Sequence, residues 1–180
     1  MSKPNIGFIG LGLMGAAMVS RLQDLGYSMS ICANISRTNI DAAVARGARE
    51  VDTARQVAAA SDIIMLCMDT TASVEARMRG PEGVISGLSA GKIVIDFGTS
   101  LPASTRALGV EVAATGAQYL DAPLGRTPAH ARDGALNIMA SGEKNAFAAA
   151  KPVLQDLGEN VFWRMATCMT PVPGATMRCS

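Results

Sequence analysis

A short apolar run, Asn5-Ile6-Gly7-Phe8-Ile9, leads directly into Gly10-Leu11-Gly12-Leu13-Met14-Gly15 and then into Ala16-Ala17-Met18-Val19. A run of this length bounded by glycine reads as a buried strand, and the apolar stretch after it opens a helix. The chain is thereby committed at its start to a strand, a glycine turn and a helix. Each glycine has its own physical task there. Gly10 takes the tight turn off the strand, Gly12 leaves the backbone open to close approach, and Gly15 lets the helix lie against the sheet. The first N–H groups of the helix have no acceptor of their own, and the positive end of the helix dipole stands behind them. A pyrophosphate suits that arrangement. Gly10, Leu11, Gly12, Leu13, Met14 and Gly15 are therefore expected to bind the phosphates of a dinucleotide. Glycine turns can also be purely structural; the strand before this one and the helix after it favour the binding role.

Further along, strands and helices alternate. Apolar strands are expected at 28–33, 63–68, 92–96, 119–124 and 136–141, with helices at 16–25, 40–46, 51–60, 73–78, 102–115 and 144–155. Gly26, Gly47, Gly116 and Gly158 follow four of those helices as stop signals. Apolar strands between amphipathic helices imply an α/β fold: a Rossmann-type, doubly wound, mostly parallel sheet with helices on both faces. Ligands of such sheets sit outside the carboxyl ends of the strands. Met68, Asp96, Thr99, Ser100, Asp121 and the 124–125 segment are thus expected on the same rim as the glycine loop.

A length of 180 residues supports one domain with a full core. Sixteen basic and fifteen acidic residues leave a formal charge of +1, and no basic run interleaved with aromatics is present, so nucleic acid is not an expected partner. The four cysteines, Cys32, Cys67, Cys168 and Cys179, form no C-x-x-C pair and have no metal spacing with the single His130. They read as reduced thiols, and no metal is expected. The amino terminus lacks the pattern of a signal peptide and no stretch is long enough to span a bilayer, so a soluble, cytoplasmic protein without a membrane partner is expected.

Three segments in order resemble the β-hydroxyacid dehydrogenases, a family that includes 3-hydroxyisobutyrate dehydrogenase, tartronate semialdehyde reductase and sulfolactaldehyde reductase. That family shares its cofactor domain with 6-phosphogluconate dehydrogenase. The first segment is the run from Gly7 to Met18. The second, Asp96-Phe97-Gly98-Thr99-Ser100, is similar to the family's D-x-S/G-T-S. The third, Asp121-Ala122-Pro123-Leu124-Gly125-Arg126-Thr127, is similar to its substrate-binding D-A-P-V-S-G-G. The likeness covers residues 4–162. It implies an NAD or NADP cofactor held by the glycine loop, with Met68 and Thr99 beside it. It also implies hydride transfer between nicotinamide and a short anionic aldehyde or hydroxyacid, with Ser100, Gly125, Arg126 and Thr127 on the substrate.

Three departures sharpen that expectation. Where most members carry Ser-Gly-Gly, this chain has Gly125-Arg126-Thr127. The variant is similar to the sulfolactaldehyde reductase type, and it implies a guanidinium fork for a carboxylate, sulfonate or phosphate. Without that likeness, Arg126 is equally readable as a solvated loop charge, and His130 as a surface residue. At the end of the second strand, where an acid would accept from the adenosine ribose, stands the neutral Asn34, followed by Ser36, Arg37 and Thr38. This favours NADP and leaves NAD admissible; Ser36 or Thr38 can equally cap a helix.

The third departure is at the carboxyl end. The family's G-x-x-x-K-x-x-N-N segment, whose lysine moves the proton, has no counterpart. The lysines are Lys3, Lys92, Lys144 and Lys151, and Gly174-Ala175-Thr176-Met177-Arg178 offers only an arginine, which cannot cycle as acid and base. Residues 1–162 are thus expected to form the cofactor domain and 163–180 an atypical tail, from truncation or a frame change. The catalytic residue is unassigned. An incomplete copy exposing its docking surface is expected to self-associate. A dinucleotide-binding module without turnover is the alternative function.

Overall fold

Largely apolar runs become strands buried on both faces, and four of them form the centre of this molecule: β1 (Ile6–Ile9), β2 (Met29–Cys32), β4 (Ile63–Leu66) and β5 (Ile93–Asp96). The structure, a computed structural model, describes residues 3–33 and 37–164. The remaining strands are β3 (Arg49–Val51), β6 (Gln118–Asp121), β7 (Leu124–Gly125), β8 (Leu136–Gly142) and β9 (Gly158–Arg164). The helices are α1 (Leu13–Asp24), α2 (Thr38–Ala45), α3 (Ala54–Ala59), α4 (Thr71–Met78), α5 (Pro102–Ala113), α6 (Pro128–Arg132) and α7 (Lys144–Leu157).

Strands β3, β2, β1, β4, β5 and β6 lie side by side in that order, all parallel. The chain winds outward from β1 in both directions, which is the Rossmann-type topology, and the crevice of such a sheet opens where the order reverses, between β1 and β4. Antiparallel β8 closes this side. It pairs with β6 and with β7 in one continuous register, Leu120 with Gly142 and Leu124 with Ile138, so β6 and β7 are one strand interrupted at Ala122 and Pro123. Pro123 has no N–H to give the ladder, although its carbonyl still accepts from Met139 N–H. β9 runs parallel to β8 on the outer side.

Strand periodicity sends alternate residues to opposite faces. Ile6, Phe8, Met65 and Ile95 pack with Met18 and Leu22 of α1 and Leu154 and Leu157 of α7. Ile9, Ile64, Leu66 and Val94 pack with Val57 of α3, Val74 of α4 and Leu108 of α5. Two cores, one per face, hold the sheet.

Several elements differ from the sequence expectation. The helix expected at 51–60 begins only at Ala54, because Val51 ends the edge strand β3 and Thr53 stops the extended chain as a cap. Its hydroxyl accepts from Gln56 N–H while the Gln56 side chain accepts from Thr53 N–H, a reciprocal capping box. α1 starts at Leu13 rather than Ala16. α6 and β9 were not expected as elements. β9 extends two residues past position 162: Trp163 stacks on Phe147 and donates its indole N–H to Gly142 O. Asn34, Ser36 and the 165–180 segment, with Cys168, Cys179 and Arg178, lie outside the described residues. Among the described helices, none is long and apolar enough to cross a membrane.

Candidate functional site

Strand register aligns Ile9, Leu66, Asp96 and Asp121 in one row at the carboxyl ends of β1, β4, β5 and β6. The loops leaving that row form the rim. Gly10 has φ 96°, and a Cβ there would lie 2.3 Å from Cys67 O and 2.8 Å from Met68 Sδ. Only glycine turns the chain so close to the β4 loop. Gly15 is equally constrained, since a Cβ would lie 2.0 Å from Gly10 O; the helix packs back onto its own turn.

Gly12 is different. It caps α1 in an extended conformation, and a Cβ at this position would meet nothing within 4 Å. No packing inside the described protein requires a glycine there. The helix's first backbone bond runs from Ala16 N–H to Gly12 O, leaving the N–H groups of Leu13, Met14 and Gly15 without helical acceptors. No side chain caps this terminus and its first turn holds no acid, so the positive end of α1 is not neutralised from within. Leu11 carries the bond that steadies the loop, its carbonyl accepting from Asn39 Nδ2 at 2.8 Å. Leu13 stands 82% exposed above it. Open space at a glycine together with donors that have no helical acceptor fits a pyrophosphate.

The second side of the rim is built by a residue that the motif contains and whose task only the fold reveals. Asp96 is fully buried. Its Oδ1 accepts from Gly98 N–H at 2.8 Å, and its Oδ2 from Ser100 Oγ at 3.2 Å and Tyr119 Oη at 3.1 Å. Burial pushes this carboxyl up, and the three donors pull it back. The carboxylate folds the 97–100 segment into a tight loop that lies on Met68, whose carbonyl would be 3.1 Å from a Cβ on Gly98. Thr99 is thereby exposed on the rim, and Leu101 N–H ties the loop to Thr71 Oγ1 at the start of α4. Half-buried Asp121, in register with Asp96, is pushed up to about 6, first by burial and then by the Asp96 charge. Burial raises the thiol of Cys67 behind the loop to about 11, with Asp96 adding to the shift, which keeps it protonated.

The third group lies past the end of β6. Gly125 ends β7, Arg126 follows with φ 83°, and Thr127 caps α6. Thr127 Oγ1 and His130 Nδ1 share a 2.8 Å hydrogen bond, which ties His130 to the loop. Arg126 Nη1 donates to Ala135 O and to Glu159 Oε2, each at 2.7 Å. Neither Tyr119 nor Glu159 stands out in the sequence, because each meets its partner only through strand pairing.

Arg37 occupies the position before α2, and its guanidinium is shared. Nη1 and Nη2 hold Glu50 of β3 at 2.6 and 3.1 Å, and Nη2 holds Asp41 at 2.8 Å. A 2′-phosphate would compete with both carboxylates. The lysines are remote from the rim. Lys3 precedes β1 and donates to Leu25 O; Lys92 precedes β5 and donates to the carbonyls of Ala58, Ala59 and Ser61 at the end of α3. Lys144 opens α7 beyond the carboxyl end of antiparallel β8, and Lys151 is exposed on α7.

The geometry agrees with known proteins. Residues 5–166 match the family described as the NAD binding domain of 6-phosphogluconate dehydrogenase. The 2-(hydroxymethyl)glutarate dehydrogenase of Eubacterium barkeri is 36% identical over 157 residues, 87% of this chain and 52% of that protein. The 2-hydroxy-3-oxopropionate reductase of Escherichia coli (strain K12) is 36% identical over 160 residues, 87% of this chain and 53% of that protein. A solved structure of Psf3 in complex with NADP+ and 2-OPP superimposes with a TM-score of 0.85 at 26% identity, covering 91% of this chain and 57% of that one. The chain spans about half the length of the curated relatives it matches. By its matched residues, its sheet order and its glycine loop, it belongs to the NAD-binding domain family of 6-phosphogluconate dehydrogenase, the amino-terminal domain of the β-hydroxyacid dehydrogenases.

Proposed function

We propose that this chain binds a nicotinamide dinucleotide across its rim and serves as the cofactor half of an oxidoreductase acting on a short anionic aldehyde or hydroxyacid. The observation that carries the reading is Gly12: unfilled space beside three N–H groups that have no acceptor among the described residues, at a helix start without a side-chain cap. The loop from Gly10 to Gly15 would hold the pyrophosphate, Met68 and Thr99 would border the nicotinamide, and Ser100 with the 125–127 loop would meet the substrate. When bound, the cofactor supplies hydride transfer. The chain's own residues orient it: Asp96 fixes the loop bearing Thr99 and Ser100, and Arg126 offers a charge to the substrate's anionic end. Calorimetric titration with NADPH and NADH tests the cofactor. Saturable binding of either supports the reading, and no heat from both on folded chain overturns it. Because Arg37 would have to share its guanidinium with Glu50 and Asp41, both cofactors are expected to bind, with NADPH favoured by less than about tenfold.

A second reading, a dinucleotide-binding module without turnover, is favoured by the absence of a lysine from the rim among the described residues. Binding without reduction of small anionic aldehydes would select it.

A further inference from the structure

Arg126 is the one non-glycine residue with a left-handed backbone among the described residues. An L side chain at such a φ is strained, so what the arginine touches has to offset that strain. It touches a carboxylate placed by an irregularity in the sheet. Leu136 of β8 pairs with Gly158, but Asn137 pairs with Asn160, so Glu159 is the extra residue of a bulge. A bulged residue leaves the ladder and re-aims its side chain. Asn160 Nδ2 donates to Asn137 Oδ1 at 3.0 Å and pins the step just after it. Glu159 Oε2 and Ala135 O both accept from the same nitrogen, Nη1. Among the described residues, Nε and Nη2 have no partner. Those two donors form the side edge of the guanidinium, the edge that matches two oxygens of one anion.

We propose that Glu159 is a positioning and specificity residue, which holds Arg126 by Nη1 so that the Nε–Nη2 edge faces the substrate's anionic end, and whose charge opposes a second negative charge there. The inference rests on the reading of Arg126 as the anion contact. Arg126 and Glu159 together carry no net charge. A carboxylate or sulfonate therefore gains two directed hydrogen bonds at little electrostatic cost. A phosphate monoester meets the same bonds, and its second charge doubles both the attraction to Arg126 and the repulsion from Glu159, so removing the Glu159 charge favours a dianion more than a monoanion.

The test uses the full chain without cofactor, so a failure of dinucleotide binding is read separately. Propanesulfonate, a monoanion, and propyl phosphate, mostly dianionic at pH 8 because its second pKa is about 6, are titrated against the Arg126 Nε–H NMR signal. That signal is identified by its loss in Arg126→Lys. Glu159→Gln should raise the affinity for propyl phosphate at least about threefold more than that for propanesulfonate. Glu159→Asp keeps the charge and shortens the reach, so it should leave the ratio of the two affinities near the parent's while weakening propanesulfonate about threefold or more. An unchanged ratio in Glu159→Gln, with melting preserved, overturns the role of Glu159 and leaves Arg126 in place. Propanesulfonate binding unaltered in Arg126→Lys by calorimetry, or absent from the parent, overturns both.

Discussion

Two glycines two residues apart obey different constraints, and that difference separates folding from binding. Gly10 is required by the fold, since φ 96° and a backbone carbonyl 2.3 Å from any Cβ leave no room for a side chain. Gly10→Ala should lose on the order of 3 kcal/mol in urea unfolding. Gly12 has no such neighbour. Gly12→Ala should change stability by less than about 1 kcal/mol, the ordinary cost at a helix cap, while weakening NADPH at least about tenfold by calorimetry. Asp121 yields a pH test. Its carboxyl, raised to about 6 in the fold, binds a proton more tightly than the same group in the unfolded chain at about 3.9. Its stabilising contribution is thus complete below about pH 4 and is lost as pH rises through about 6. Asp121→Asn should equal the parent at pH 4 and exceed it at pH 8 by on the order of 1 kcal/mol, a figure reduced for solvent screening of a half-buried group.

At the scale of elements, periodicity identifies what is long and uniformly apolar, and tertiary pairing decides what is short. β1 and β4 are readable because residues buried on both faces carry no polar side chain, and β5 because it is apolar up to Asp96. β3 and β7 have three and two residues, too few for any period to register. β9 alternates in burial, but its alternation has meaning only against β8. Caps are local enough to be read and to be tested. Removing the hydroxyl of the α3 capping box by Thr53→Ala should cost about 1 kcal/mol in urea unfolding, with cofactor affinity unchanged.

For the whole molecule, the distribution of charge along the strand axis bears on turnover. The described lysines lie away from the carboxyl rim, and two of them are spent on carbonyls at the amino end of the sheet. Reduction of an aldehyde leaves an alkoxide that needs a proton, and a positioned acid contributes on the order of 100- to 10,000-fold. The chain alone should therefore consume NADPH with small anionic aldehydes at least about 100-fold more slowly than full-length relatives, followed by NADPH absorbance. Comparable rates would mean that another group supplies the proton.

The sequence by itself determined the α/β class, the glycine loop and the order of the three motifs, because each rests on contiguous residues whose backbone demands are local: a glycine turn, a buried run, a helix start. Only the tertiary structure decided what those motifs touch. Asp96 became the anchor of the Thr99 loop through Tyr119 on the next strand, Arg37 was claimed by Glu50 of β3, and Arg126 was joined to Glu159 by a bulge more than thirty residues further on. Strand pairing brings such partners together without regard to their separation along the chain. Hydrogen bonds and ion pairs act over a few ångströms of space, which sequence spacing does not measure.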